Sequence, residues 1–142
     1  MSSRSLFVCV FGLLAANSAW AQYRVSGDLG ANWLRTGIYI RPGTLIRASA
    51  SGSVDIGGWL GSYGPAGTTL FRDVDGYQAL TRYRYGLVFR ITPTMSPLTE
   101  FALDWSYGEA REYCVTTAGY LSMTVNDFYP ADNRGSFLVT LS

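Results

Sequence analysis

Between Val125 and Phe137 the chain reads Val-Asn-Asp-Phe-Tyr-Pro-Ala-Asp-Asn-Arg-Gly-Ser-Phe. It gathers four short oxygen-bearing side chains, Asn126, Asp127, Asp132 and Asn133, into one stretch. Carboxylates, amides and backbone carbonyls freed by Pro130 and Gly135 are the ligands a hard cation such as calcium takes. A second reading of the same residues is turn chemistry, in which Asp and Asn side chains bond the nearby backbone.

The elements that must hold this stretch are read from its flanks. Before it, Leu121, Met123 and Val125 alternate with Ser122, Thr124 and Asn126; after it, Phe137, Val139 and Leu141 alternate with Ser136, Leu138 and Thr140. Period-two alternation on both sides predicts two strands, each with one face in the core. A loop hung between strand ends is where binding residues tend to lie.

The same pattern runs through the rest of the chain. Tyr23 to Val25 opens a first strand, and Gly37 to Ile40 continues in extended residues before a Pro42-Gly43 turn. Thr44 to Ala50 forms a half-buried strand, which Val54 to Ile56 extends after a break at Ser51-Gly52. Leu87, Phe89 and Ile91 alternate with Val88 and Arg90 in a central strand whose outer face carries the charge, and Phe101 to Trp105 gives another run. No window holds a helical period. Short strands separated by Gly and Pro predict one all-β domain, a jelly-roll-like β-sandwich.

Residues 1–21 read as a signal peptide. Arg4 supplies the charge, Leu6 to Ala16 the apolar run, and Ala19-Trp20-Ala21 the small-x-small cleavage site. The run is too short for a membrane anchor. Residues 22–142 are then the exported domain, secreted or periplasmic, with no membrane insertion expected. Removal of Arg4 leaves ten arginines against ten acidic residues. A neutral chain argues against nucleic acid as a partner. Cys114 becomes the only cysteine of the mature chain, so no intrachain disulfide is expected; Cys114 reads as a small half-buried apolar residue, with an intermolecular disulfide as the second reading.

From Gly57 to Arg84 the alternation dissolves into a glycine-rich loop containing Trp59, Tyr63 and Pro65. A loop of this length is usually functional or disordered. Its aromatics either bind a ligand with apolar faces, as sugars have, or cap the end of the sandwich core.

Four stretches together resemble the PA-IL family, the small calcium-dependent galactose-binding bacterial lectins. They are Gly37-Ile-Tyr-Ile-Arg-Pro-Gly-Thr44, Gly61-Ser-Tyr-Gly-Pro65, Gly86-Leu-Val-Phe-Arg-Ile91, and Val125-Asn-Asp127 followed by Asp132-Asn-Arg-Gly-Ser-Phe137. They span most of the mature chain in family order. The resemblance implies calcium held by the carboxylate of Asp127, side-chain oxygens of Asp132 and Asn133, the Tyr63 carbonyl, and a mid-loop carbonyl of Tyr129 or Pro130. Two sugar hydroxyls would complete the shell. Tyr63 and Asp127 would also touch the sugar, with Asp132 and Phe128 beside them. The expected calcium affinity is on the order of 0.1 to 1 mM or tighter.

Three features depart from the family. The segment between Asp127 and Asp132 is shorter. Asp132-Asn133 replaces a pair of asparagines. The chain contains no histidine, where the family places one beside the sugar. Asp73, Asp75 and Gln78 lie in the corresponding region and could supply polar contacts instead. A homo-oligomer is an open expectation.

Other classes are weighed against this reading. Without histidine, a Ser-His-Asp or histidine-zinc site cannot form. Carboxylate pairs for a glycosidase remain in Asp73 with Asp75, Glu109 with Glu112, or Asp104, but no catalysis is expected. Arg82-Tyr-Arg-Tyr85 mixes charge and aromatics as single-strand binders do, and also reads as the approach to an edge strand. The main alternative is an exported non-catalytic structural or adhesion module with calcium as a clip.

Overall fold

The computed structural model describes residues 21–68, 84–92, 99–101 and 111–142. The strands are β1 (Ala21–Ser26), β2 (Leu34–Ile40), β3 (Leu45–Asp55), β4 (Ser62–Tyr63), β5 (Leu87–Thr92), β6 (Thr99–Phe101), β7 (Arg111–Cys114), β8 (Gly119–Val125) and β9 (Arg134–Leu141). A 3₁₀ turn at Pro130–Asp132 precedes the last strand. One sheet runs β1-β9-β3-β4, with β7 also paired to β3; the other runs β2-β8-β5-β6. All these pairings are antiparallel. The fold is an all-β sandwich. Among the described residues, no helix is long and apolar enough to cross a membrane.

The alternation seen in the sequence becomes the core. Phe137, Val139 and Leu141 of β9 and Ile46, Ala48 and Val54 of β3 share one buried cluster with Leu87, Phe89 and Ile91 of β5 and Leu121, Met123 and Val125 of β8. Full burial of such side chains contributes about 1.5–3 kcal/mol each. The exposed Arg47–Glu112 ion pair, which links β3 to β7, contributes about 0–1 kcal/mol by comparison. Apolar packing dominates.

Several expectations change. Leu45 to Ala50 and Val54 to Asp55 belong to one continuous strand, β3, which pairs with β9 from Ala48 to Asp55, while Thr44 and Ile56 fall just outside it. Gly52 does not break it: a β-carbon there would overlap the Ser136 carbonyl of β9, and φ is +97°. Glycine allows the two backbones to approach. The strand β8 is buried on both faces, because Ser122 and Thr124 are covered too. Thr124 Oγ1 donates to the Gly30 carbonyl at 3.0 Å, which satisfies its hydroxyl in the interior. The Phe101 to Trp105 run reaches the described residues only at Phe101, the end of β6. Strands β4 and β7, without an apolar repeat of their own, form only as pairings to β3. The glycine-rich loop is also partly structured, through β4 and a bridge between Thr68 and Arg84.

Cys114 corrects a further expectation. It is disulfide-bonded and is not a lone apolar thiol.

Candidate functional site

The Asn126–Asn133 loop crosses from one sheet to the other, since β8 and β9 belong to different sheets. Its two ends are anchored by buried asparagines. Asn126 is fully buried, donates its backbone N–H to the Gly86 carbonyl at 2.9 Å and accepts from the Tyr85 N–H at 2.7 Å. Asn133, 2 % exposed, donates from Nδ2 to the Gly27 carbonyl at 2.8 Å. Its Oδ1 is buried without a hydrogen-bond donor. Rotating the amide would not cure this, because Oδ1 would then face the Gly27 carbonyl, two acceptors together.

Within the loop, Asp127 is 5 % exposed, and its Oδ1 accepts the Tyr129 N–H at 3.2 Å. Asp132 is exposed at the end of the 3₁₀ turn, whose closing bond runs from the Asn133 N–H to the Pro130 carbonyl at 3.1 Å. Turn chemistry, the second reading of these residues, is therefore present in the loop. It accounts for Asp127 Oδ1 and leaves Asn133 Oδ1 unexplained.

Two neighbouring segments wall the loop. The Asp132 carboxylate packs against Gly57, in the turn after β3, so closely that a β-carbon at Gly57 would overlap it. The same turn is closed by Ile56 N–H donating to the Gly61 carbonyl at 3.0 Å and leads into Ser62–Tyr63. On the other side the Tyr63 ring lies 5.0 Å from the Tyr85 ring. Tyr85 has φ +65°, an unfavourable conformation for a bulky residue and one that concentrates at functional sites. Tyr63 is thus tied to Asn126 through Tyr85, while Asp132 and Asn133 are tied to Gly57 and Gly27.

The aromatics of the glycine-rich segment divide. Tyr63 is half-buried against the core, whereas Trp59 is 91 % exposed and caps nothing. Phe128 and Tyr129, at 60 % and 63 %, also project from the loop. Tyr85, Gly57 and Gly27 are supports for the site that only the fold reveals. Their roles depend on contacts distant in sequence, and no local signal marks them. Asp73, Asp75, Gln78, Asp104 and Glu109 lie outside the described residues. Glu112 accepts from Arg47 on β3.

The donors are hard oxygens, which suits calcium rather than a soft or nitrogen-seeking metal. No three His, Cys, Asp or Glu residues cluster among the described residues. Amide and carbonyl oxygens would therefore have to supplement two carboxylates. The buried Asn133 Oδ1 is such an oxygen, and on this ground the residues present fit the ion.

No protein-family model matches the chain, and no curated protein matches it. Among solved structures, the chain is similar to the EclA N-terminal domain, described as a PllA-like lectin, with TM-score 0.64 and 21% sequence identity over 89% of this chain and 98% of that one. At that identity the likeness is one of fold, and the sandwich described above is the fold the two share.

Proposed function

We propose that this protein is an exported carbohydrate-binding protein whose Asn126–Asn133 loop holds calcium, with sugar hydroxyls completing the metal shell. The observation that carries the reading is the buried Asn133 Oδ1, an acceptor without a donor in a loop that also holds two carboxylates. Burying such an oxygen unpaired costs about 1–3 kcal/mol, which a bound cation would offset. The lectin-like fold supports the same reading. Asp127, Asp132 and Asn133 supply side-chain oxygens, and Tyr63 supplies its carbonyl. Pro130 already uses its carbonyl to close the 3₁₀ turn, so Tyr129 is the better mid-loop carbonyl. A galactose-like ligand fits the resemblance, and the exposed Phe128 flanks the site. The domain spans residues 22–142, and no catalytic step is assigned to it.

A specific observation also favours the structural reading. The loop joins the two sheets and touches Gly27 and Gly57, so a cation there would clip the sandwich even without sugar. Calcium calorimetry on chelator-treated protein, followed by a glycan panel with and without chelator, separates the two. Calcium-dependent glycan binding establishes the lectin. Calcium binding without glycan leaves the clip. Absence of calcium binding removes both.

A further inference from the structure

The outer face of the β2-β8-β5-β6 sheet carries a second cleft. Its floor is Ser122, which points away from the core because its neighbours Leu121 and Met123 point into it. Direct pairing places Arg35 of β2 on one side of Ser122 and Arg90 of β5 on the other. Paired residues share a face. The two arginine positions therefore stand two strand spacings apart, about 9–11 Å. A small hydroxyl between two long side chains makes a trough. Among the described residues, Asn32, Trp33 and Thr92 also line it, and the cavity measures about 490 Å³. That volume is within the range of small-ligand sites.

The chemistry of the lining is specific. Among the described lining residues the charged side chains are both guanidinium groups, and none is a carboxylate. Arg90 is held in place, its guanidinium carbon 3.9 Å from the centroid of the Trp33 ring. Trp33 is itself buried with Val88 as a small apolar cluster beneath. Stacking fixes the plane of the fork before any ligand arrives, so less freedom is lost on binding. Arg35 is exposed and can close from the opposite wall. Glu100 holds the next register position on β6, opposite Arg90. An exposed pair of tyrosines, Tyr39 and Tyr120, continues the face, with ring centroids 5.2 Å apart in an edge-on arrangement.

We propose that this cleft is a second ligand site, for a small anionic ligand whose carboxylate or sulfate lies between Arg35 and Arg90 over the Ser122 hydroxyl; that a sugar carries this oxyanion rests on the carbohydrate-binding reading above. Guanidinium forks match planar oxyanions with paired hydrogen bonds. The site is independent of calcium and of the reading of the Asn126–Asn133 loop.

The test is calorimetric titration of the full chain in chelator, with glucuronate, galactose 6-sulfate and neutral galactose as probes. Saturable binding of either anionic probe but not galactose is expected, and the two anions separate carboxylate from sulfate recognition. Arg35→Gln should weaken that binding roughly tenfold or more. Because Arg35 is exposed, the variant should keep the wild-type melting temperature and any calcium binding. Affinity should also fall as salt is raised. No saturable binding of either anion, equal binding of galactose, or unchanged affinity in Arg35→Gln would each overturn the proposal.

Discussion

Asn133 donates to the Gly27 carbonyl at 2.8 Å and so commits its amide to one orientation, leaving Oδ1 as a buried acceptor without a donor. Gly27 lies just after the first strand and Asn133 just before the last. The bond therefore ties the two ends of the described sandwich beside the loop. It also creates the one feature of the loop that turn chemistry does not satisfy.

Asn133→Ala should consequently be more destabilising in calcium than in chelator. In chelator the variant loses the Gly27 bond, about 1–3 kcal/mol, but also removes the unsatisfied oxygen. In calcium the wild type gains the binding free energy, about 2.7 kcal/mol at a hundredfold excess over Kd, and the variant does not. Urea unfolding under both conditions measures the difference. Equal losses would show that Oδ1 holds no metal.

Asp127→Asn separates charge from turn geometry. The amide oxygen can still accept the Tyr129 N–H that Asp127 Oδ1 accepts at 3.2 Å. Stability in chelator should fall by about 1 kcal/mol, the difference between a hydrogen bond to a charged and to a neutral acceptor. Calcium affinity should fall roughly tenfold or more, since a charged ligand is lost. Calorimetry beside a chelator melt reads both quantities, and unaltered calcium affinity would remove Asp127 from the site.

Gly57→Ala tests the contact between the two loops. The residue has φ +80°, and its added β-carbon would overlap the Asp132 carboxylate. A non-glycine residue in this region costs about 1–3 kcal/mol from strain alone. The overlap adds to that cost, and Asp132→Ala in the same chain should recover the added part. A double-mutant cycle by urea unfolding gives the coupling. Simple additivity would mean that the two residues do not touch in solution.

The Arg47–Glu112 ion pair should matter little. Its side chains are 52% and 33% exposed, so solvent screens the attraction. Glu112→Gln should change stability by less than about 1 kcal/mol. Phe89→Ala, in a fully buried position of β5, should cost about 3–5 kcal/mol. Thermal or urea unfolding of the two variants side by side checks the ranking, which a larger effect of Glu112→Gln would reverse.

The sequence by itself determined the all-β class, because period-two alternation needs only local residue types. Leu87, Phe89, Ile91, Phe137, Val139 and Leu141 alternate in the chain and are buried in the fold for the same reason. The Pro42-Gly43 turn was equally legible, and the Thr44 N–H closes it onto the Arg41 carbonyl at 3.1 Å. So was the loop that collects Asp127, Asp132 and Asn133. Only the tertiary structure decided what those residues meet. Gly57 makes room for a carboxylate 75 positions away, Gly27 fixes an amide 106 positions away, and Tyr85 adopts a strained conformation between Tyr63 and Asn126. The same is true of the second cleft, where Arg35, Ser122 and Arg90 come from three separate stretches. Strand pairing brings distant residues into one row, and the register that does so is set by the whole sheet rather than by any local run.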